Sequence, residues 1–213
     1  MQLSDQILVA NDEVLQRMLL HRFVTDIKEN RLSVSIFHRY LAYECVFVET
    51  AISIFAYATA CSPDIASQRW LIGVLDTLAN TQVPYFEKTF VRLGISRPSE
   101  LPEAVKAFDE EMLHLSRQGS FIDIVTAMFA AEWMYWVWCS AASKCEVTDP
   151  DLKAWVDLHA TPEFAAQATW LKGAIDTCGK PSDVDRLSAV FDRVIRLEMA
   201  FHAAAYEIDT IQG

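Results

Sequence analysis

The sequence AAEWMYWVWC (residues 130–139) places one carboxylate, Glu132, inside one of the most apolar and aromatic stretches of the chain. A helix that is apolar on every side is buried by its neighbours, so this stretch predicts a central helix surrounded by other helices. Without a partner, an ionised carboxylate in such a position would cost several kcal/mol or would shift its pKa. Glu132 is therefore either paired inside the protein or functional.

Apolar residues recur with the helical period on both sides of this stretch, and turn residues divide the chain into about seven or eight segments. No stretch alternates convincingly with a period of two residues. The sequence thus predicts an all-α, compact helical bundle in a single domain over residues 1–213, whose core is the natural place for a ligand site. Pro84 predicts a kink in the third helix, and the predicted helices lie at about 4–29, 33–60, 64–92, 103–117, 120–145, 150–158, 162–177 and 182–208.

The composition supports one domain with long helices and short connections, because 52% of the 213 residues are hydrophobic and the chain has only 6 glycines and 7 prolines. Asp and Glu number 29 against 18 Lys and Arg, for a net charge of -11. This excess of negative charge argues against nucleic acid or an anionic membrane surface as a partner. Small neutral or cationic ligands suit it better.

The five cysteines, an odd number without a CxxC pair, indicate reduced intracellular thiols rather than a disulfide framework or a zinc site. The first residues, MQLSDQILVANDEVLQRM, lack the basic start and apolar segment of a signal peptide, which predicts a cytoplasmic protein. Residues 124–142 come near the length of a membrane span, about 20 residues. Glu132 at their centre and the aromatic residues around it argue against that interpretation.

Two other predicted helices also carry a glutamate in an otherwise apolar stripe. On the last helix, Glu198 and His202 continue the stripe that begins at Phe191, and Glu44 lies at the centre of the apolar stripe of the second helix. With Glu132, three carboxylates on three helices could converge on one cavity. Convergent, partly desolvated carboxylates serve general acid/base catalysis or bind the N–H groups of a polar ligand.

Two other interpretations of these carboxylates are open. Each glutamate could pair with a hydroxyl or an arginine inside the bundle, with Arg39 and Arg69 as candidates. A metal site is the second alternative, because di-iron bundles bind metal through a Glu-x-x-His pair on each of two helices. EMLH (residues 111–114) is one such pair, beside acidic neighbours that indicate a solvated face, whereas Glu198 and His202 have i, i+4 spacing.

Four stretches resemble, in their order and spacing, the TenA (thiaminase II) family, and together they span nearly the whole chain. They are HRFVTDIKENRLSVSIFHRYLAYECVFV (21–48), FDEEM (108–112), QGSFIDIVTAMFAAEWMYWVW (118–138) and RLEMAFH (196–202). The resemblance implies the heme-oxygenase-like all-helical fold and a homo-oligomer, either a dimer or a tetramer. It also implies the salvage of degraded thiamin by hydrolysis of an aminopyrimidine, with no cofactor.

The resemblance also implies roles for individual residues. Glu198 occupies the place of the family's catalytic glutamate in the last helix. Glu44 aligns with the acidic residue, usually Asp, that binds the aminopyrimidine. Phe47 and Tyr135 match aromatic residues that line the ring pocket.

The chain departs from the family pattern at several of these places. Where the best-known branch has its active-site Cys, this chain has Ala131, and the adjacent Glu132 matches a branch that lacks the Cys and uses a glutamate. Phe108 and His159 stand where Tyr is usual, and His202 replaces a common Trp. We expect all three to contact the substrate, and an imidazole would add a proton-transfer group near neutral pH.

The leading hypothesis is a cytoplasmic aminohydrolase of the Cys-lacking branch that acts on 4-amino-5-aminomethyl-2-methylpyrimidine or its N-formyl relative. In this hypothesis Glu198 and Glu132 are the catalytic acid/base pair, and Glu44 accepts hydrogen bonds from the amino edge of the ring. A second hypothesis is an oxidase of the same fold, either without metal or with a metal bound by the three glutamates and His202. A third is a non-catalytic module that binds an aromatic cation or a pyrimidine.

Overall fold

The computed structural model describes residues 1–207, and these form a bundle of α-helices without a β-strand. The predicted all-α bundle is therefore confirmed. The α-helices are α1 (Leu3–Ala10), α2 (Asp12–Leu19), α3 (Arg22–Lys28), α4 (Val34–Cys61), α5 (Ile65–Thr77), α6 (Val83–Leu93), α7 (Glu103–Gln118), α8 (Phe121–Ala142), α9 (Pro150–Leu158), α10 (Pro162–Cys178) and α11 (Val184–Ala204). A π-helical turn, Leu78–Gln82, joins α5 to α6, and a 3-10 turn, Pro181–Asp183, precedes α11.

The first predicted helix, 4–29, is three short helices. Asn11 ends α1, and its side-chain amide donates to the carbonyl of Ile7 over 2.8 Å. His21 begins α3, where its Nδ1 accepts from the backbone N–H of Phe23. Such local capping interactions interrupt a helix without interrupting its apolar period, so the period alone could not locate these breaks.

The predicted kink in the third helix has a different form from the one expected. Pro84 lies in the first turn of α6, where its missing N–H is tolerated, and the irregularity is the π-helical turn that precedes it. π-Helical turns accompany functional sites in many proteins, and this one lines the cavity described below. Residue 208, the predicted end of the last helix, lies outside the described residues.

Helix α8, which contains the AAEWMYWVWC stretch, is the central helix of the bundle. It begins at a capping box, in which the carboxylate of Asp123 accepts from the backbone N–H of Ser120. The helix packs against α4, α7, α10 and α11. Phe129, Ala130 and Met134 have no exposed surface. Burial of 14 of its 22 residues explains why this helix has no continuous polar face, as its sequence predicts.

Helix α4 is the second core helix and contacts α5, α6, α7 and α8. Among the described residues it is the helix that is long and apolar enough to cross a membrane, by length and composition only. The sequence pattern instead favours residues 124–142 as the candidate membrane span. Of the most apolar 18-residue window of α4, 56% is buried inside the bundle. Packing between helices therefore accounts for much of its hydropathy, and it carries Glu44 into the core.

Candidate active site

A cavity of about 640 Å³ lies between α4, the α5–α6 segment, α8, α9 and α10. Its size is typical of a site for a small molecule. Aromatic and aliphatic side chains form most of its surface. Six of the eight predicted site residues line it, namely Glu44, Phe47, Phe108, Glu132, Tyr135 and His159.

Glu44 is buried on α4, with 8% of its surface exposed. The indole N–H of Trp155 donates to its Oε2 over 2.7 Å. Burial raises the pKa of Glu44 to about 8, and the hydrogen bond from Trp155 opposes this rise. At neutral pH the carboxyl group is therefore mostly protonated, and it can both donate and accept a hydrogen bond.

His159 lies at the end of α9 and faces Glu44. Its Nδ1 lies 2.9 Å from the carbonyl oxygen of Trp155, so Nδ1 carries the proton and Nε2 is an acceptor in the neutral ring. Nε2 is 3.6 Å from Oε1 of Glu44. Burial lowers the pKa of His159 to about 4, which keeps the ring neutral. A protonated carboxyl group thus faces an imidazole lone pair, and this arrangement suits a neutral acid better than a carboxylate.

Glu132 lies on α8 and is held from α10. The side-chain amide of Gln167 donates to its Oε1 over 2.9 Å, while Oε2 is buried with no partner among residues 1–207. Burial raises the pKa of Glu132 to about 7, and the bond from Gln167 opposes the rise. A carboxyl group that titrates near neutral pH can act as an acid or a base.

Glu198 is more deeply buried than the other two glutamates, with 1% of its surface exposed, and it does not line the cavity. Burial raises its pKa well above the usual value, the nearby Glu44 and Glu132 raise it further, and the hydroxyl of Tyr135 opposes the rise. Neither carboxyl oxygen has a hydrogen-bond partner within the described part of the chain. The Tyr135 hydroxyl is instead bonded to the hydroxyl of Tyr40 at 2.5 Å.

His202 also lies outside the cavity lining and is fully buried one turn beyond Glu198. Its Nδ1 is 2.7 Å from the carbonyl oxygen of Glu198 and 3.5 Å from the carboxyl Oε2. Burial lowers the pKa of His202 to about 3, so the ring is neutral. In this position His202 contacts Glu198 and the aromatic core rather than the cavity, so the expected contact with a substrate stays a prediction.

Aromatic rings line part of the cavity. The rings of Phe47 and Phe108 lie 4.5 Å apart, and Phe201 lies 5.4 Å beyond Phe108. Across the cavity lining, the rings of Tyr135 and His159 are 5.4 Å apart. Such surfaces favour a planar aromatic ligand, whose polar edge can meet the carboxyl groups.

Comparison with known proteins identifies the family of this chain and supports its fold. The sequence pattern of the TENA/THI-4/PQQC family matches residues 9–208. The chain belongs to this family. The resemblance inferred from the four sequence stretches is thus confirmed.

Relatives of this TENA/THI-4/PQQC protein match over most of their length. The aminopyrimidine aminohydrolase of Halalkalibacterium halodurans is 25% identical over 197 residues, which cover 87% of each chain. A TenA homologue from Pyrococcus furiosus has a TM-score of 0.86 at 21% identity, covering 96% of this chain and 100% of that one. The TenA homologue of P. horikoshii OT3 has a TM-score of 0.89 at 17% identity, covering 97% and 99%. The two structures establish the shared fold.

No arginine pairs with the three glutamates in the described residues of this family member, whereas the hydroxyl of Tyr135 interacts with Glu198. Arg39 donates to the carbonyl of Ala205, and Arg69 lines the cavity without an ion pair. Glu111, half of the Glu-x-x-His pair, accepts from Arg193. Within residues 1–207, no three His, Cys, Asp or Glu side chains are close enough to hold a metal ion.

Three residues of the site were not predicted, namely Tyr40, Trp155 and Gln167. Trp155 precedes His159 by four residues, and this helical spacing could have indicated that both lie on one face of their helix. Tyr40 has the same spacing to Glu44. No sequence signal indicates Gln167, because its contact with Glu132 joins helices that are 35 residues apart in the chain.

Proposed function

We propose that the protein is an aminopyrimidine aminohydrolase, a hydrolase of a C–N bond. The observation that carries this proposal is the group of three glutamates with raised pKa values, without an arginine or lysine partner in the described part of the chain, beside an aromatic cavity. The 25% identical relative named aminopyrimidine aminohydrolase supports the reaction class. The proposed substrate is 4-amino-5-aminomethyl-2-methylpyrimidine or its N-formyl relative.

Glu44 binds the polar edge of the pyrimidine in this proposal. A neutral carboxyl group offers one donor and one acceptor, which match a ring nitrogen and the adjacent amino group. Trp155 and His159 orient the carboxyl group from α9. Phe47 and Phe108 contact the face of the ring.

Glu132 is the acid/base group in direct contact with the cavity. The reaction replaces the C–N bond at the exocyclic methylene with a C–O bond to water. The departing amine receives one proton, and the attacking water loses one, so a single carboxyl group that gives and regains a proton balances the step. A pKa of about 7 places Glu132 close to the value that is best for both transfers at neutral pH.

Glu198 is the second acid/base group, as the sequence predicts, but it requires a route to the substrate. The hydroxyl of Tyr135 lines the cavity and interacts with Glu198, so we place Tyr135 between them as the group that passes the proton. The Nδ1 of His202 bonds to the backbone carbonyl of Glu198 and so holds this turn of the helix. In this role His202 affects the substrate through Glu198 rather than by contact.

The remaining expectations from the sequence belong to the same proposal. We propose a single domain over residues 1–213, a cytoplasmic protein, and a homo-oligomer that is a dimer or a tetramer. The net charge of -11 supports a small-molecule partner rather than nucleic acid or an anionic membrane. The reaction as written uses no cofactor.

The test is incubation of the purified protein with 4-amino-5-aminomethyl-2-methylpyrimidine, with the hydroxymethyl product followed by chromatography. Glu132→Gln and Glu198→Gln are assayed beside the wild type, with circular dichroism to show that they fold. We expect product from the wild type and losses of about 10²- to 10⁴-fold in turnover for each variant. Full activity of either variant would remove that glutamate from the mechanism, and no product from the wild type would refute the substrate.

A further inference from the structure

The amide of Gln167 is the hydrogen-bond partner of Glu132 in the described structure. Gln167 lies on α10, which packs closely against α8 along the segment that carries Glu132. The donor atom is Nε2 and the acceptor is Oε1, 2.9 Å away. The second oxygen, Oε2, is buried without a partner among residues 1–207, although Glu132 as a residue lines the cavity.

We propose that Gln167 is a positioning residue that holds Oε1 of Glu132 and thereby makes Oε2 the oxygen that carries the acid proton. This inference rests on the proposed acid/base role of Glu132 and deepens it. An amide N–H can donate to Oε1 whether the carboxyl group is ionised or protonated on Oε2. The bond therefore persists through the catalytic cycle, and the proton is directed to Oε2.

The choice of an amide rather than a cation matters for the chemistry. A lysine or arginine at this position would stabilise the carboxylate strongly and hold it ionised. A neutral donor fixes the geometry and lowers the pKa of Glu132 only partly, so the group still titrates near neutral pH. Gln167 thus supplies orientation without removing the acid function.

The first experiment measures kcat and KM from pH 5 to 9 for Gln167→Leu, which removes the donor with little change in size. We expect kcat to fall about 10- to 100-fold with KM nearly unchanged, since a hydrogen bond to a charged group is lost. In Gln167→Leu, the limb of the kcat–pH profile that reports the titration of Glu132 should move to higher pH. In Gln167→Lys, the same limb should move to lower pH. A higher KM with an unmoved pH profile would overturn the inference.

A double mutant separates positioning from other roles. If Gln167 acts through Glu132, adding Gln167→Leu to Glu132→Gln should cause no further loss of kcat, whereas additive losses would contradict the inference. Gln16→Leu is the matched control, because Gln16 also donates to a carboxylate, that of Asp12, but on the exposed surface of α2. It should leave the pH profile and kcat unchanged.

A measurement without substrate keeps this inference distinct from the proposed function. Infrared difference spectra show a band from protonated carboxyl groups, and the part of it that Glu132→Gln removes belongs to Glu132. The intensity of this part as a function of pH gives the midpoint of the titration of Glu132. We expect the midpoint to rise in Gln167→Leu and to fall in Gln167→Lys. An unmoved midpoint would refute the inference, even if the wild type turns over the pyrimidine. Absence of turnover together with shifted midpoints would refute only the proposed substrate.

Discussion

The replacement Glu44→Gln should make the protein more stable at alkaline pH than the wild type. Gln retains a carbonyl oxygen that can accept from the indole of Trp155. Its amide group can face Nε2 of His159, which lies 3.6 Å from Oε1 of Glu44 in the wild type. The variant therefore copies the neutral form of Glu44 at every pH and cannot ionise inside the core.

The expected size follows from the raised pKa of Glu44. The native state binds this proton more tightly than the unfolded chain, in which the glutamate has its ordinary pKa of 4.5. The contribution of Glu44 to stability is therefore complete below pH 4.5 and is lost as the pH rises from there through about 8, the pKa in the folded protein. At about 1.4 kcal/mol per pKa unit, the loss is at most about 5 kcal/mol in the free energy of unfolding. That is a large share of the about 5–15 kcal/mol that typically stabilises a domain.

Urea unfolding of the wild type and Glu44→Gln at pH 5, 6, 7, 8 and 9 tests this prediction. The difference in unfolding free energy between the two proteins should grow by several kcal/mol from pH 5 to pH 9, in favour of the variant. The exposed Glu146→Gln serves as the control and should follow the wild type at each pH. If the curves of wild type and Glu44→Gln run parallel, Glu44 does not carry a raised pKa and the neutral-acid description of the site is wrong.

Three other replacements test separate contacts. Trp155→Phe removes the indole donor of Glu44 and should lower the unfolding free energy in urea by about 1–3 kcal/mol. Trp170→Leu removes a parallel stack with Trp70, with ring centroids 3.8 Å apart, and should cost about 0.5–1.5 kcal/mol beyond the lost burial in thermal unfolding. Tyr135→Phe should lower kcat for the pyrimidine with little change in KM, and an unchanged kcat would contradict the proposed proton route.

Much of the fold could be predicted because the apolar residues of a helix recur with a period that local geometry sets. The apolar stretch around Glu132 predicts a buried helix, and 14 of the 22 residues of α8 are buried. The breaks at Asn11 and His21 escaped prediction, since a single capping side chain decides them without changing the apolar pattern. The π-helical turn before Pro84 also escaped prediction.

The sequence indicated the residues of the candidate site better than it indicated how they are arranged. A charge in an apolar stripe is conspicuous in a sequence, because burying it is costly, and this criterion identified Glu44, Glu132 and Glu198. How deeply each side chain is buried depends on how the helices pack together. Glu198 and His202 share the stripe of α11, yet they lie beyond the lining of the cavity that Glu44 and Glu132 form.

The sequence by itself determined the helical class, the family and the identity of the three carboxylates, because each depends on residue types and on spacing within one segment. The tertiary structure alone decided the partners of those carboxylates. Gln167 reaches Glu132 across 35 residues, and Trp155 reaches Glu44 across 111. Contacts between helices distant in the chain leave no periodic signal within either helix, yet they set the pKa and the orientation of the groups that would perform the chemistry.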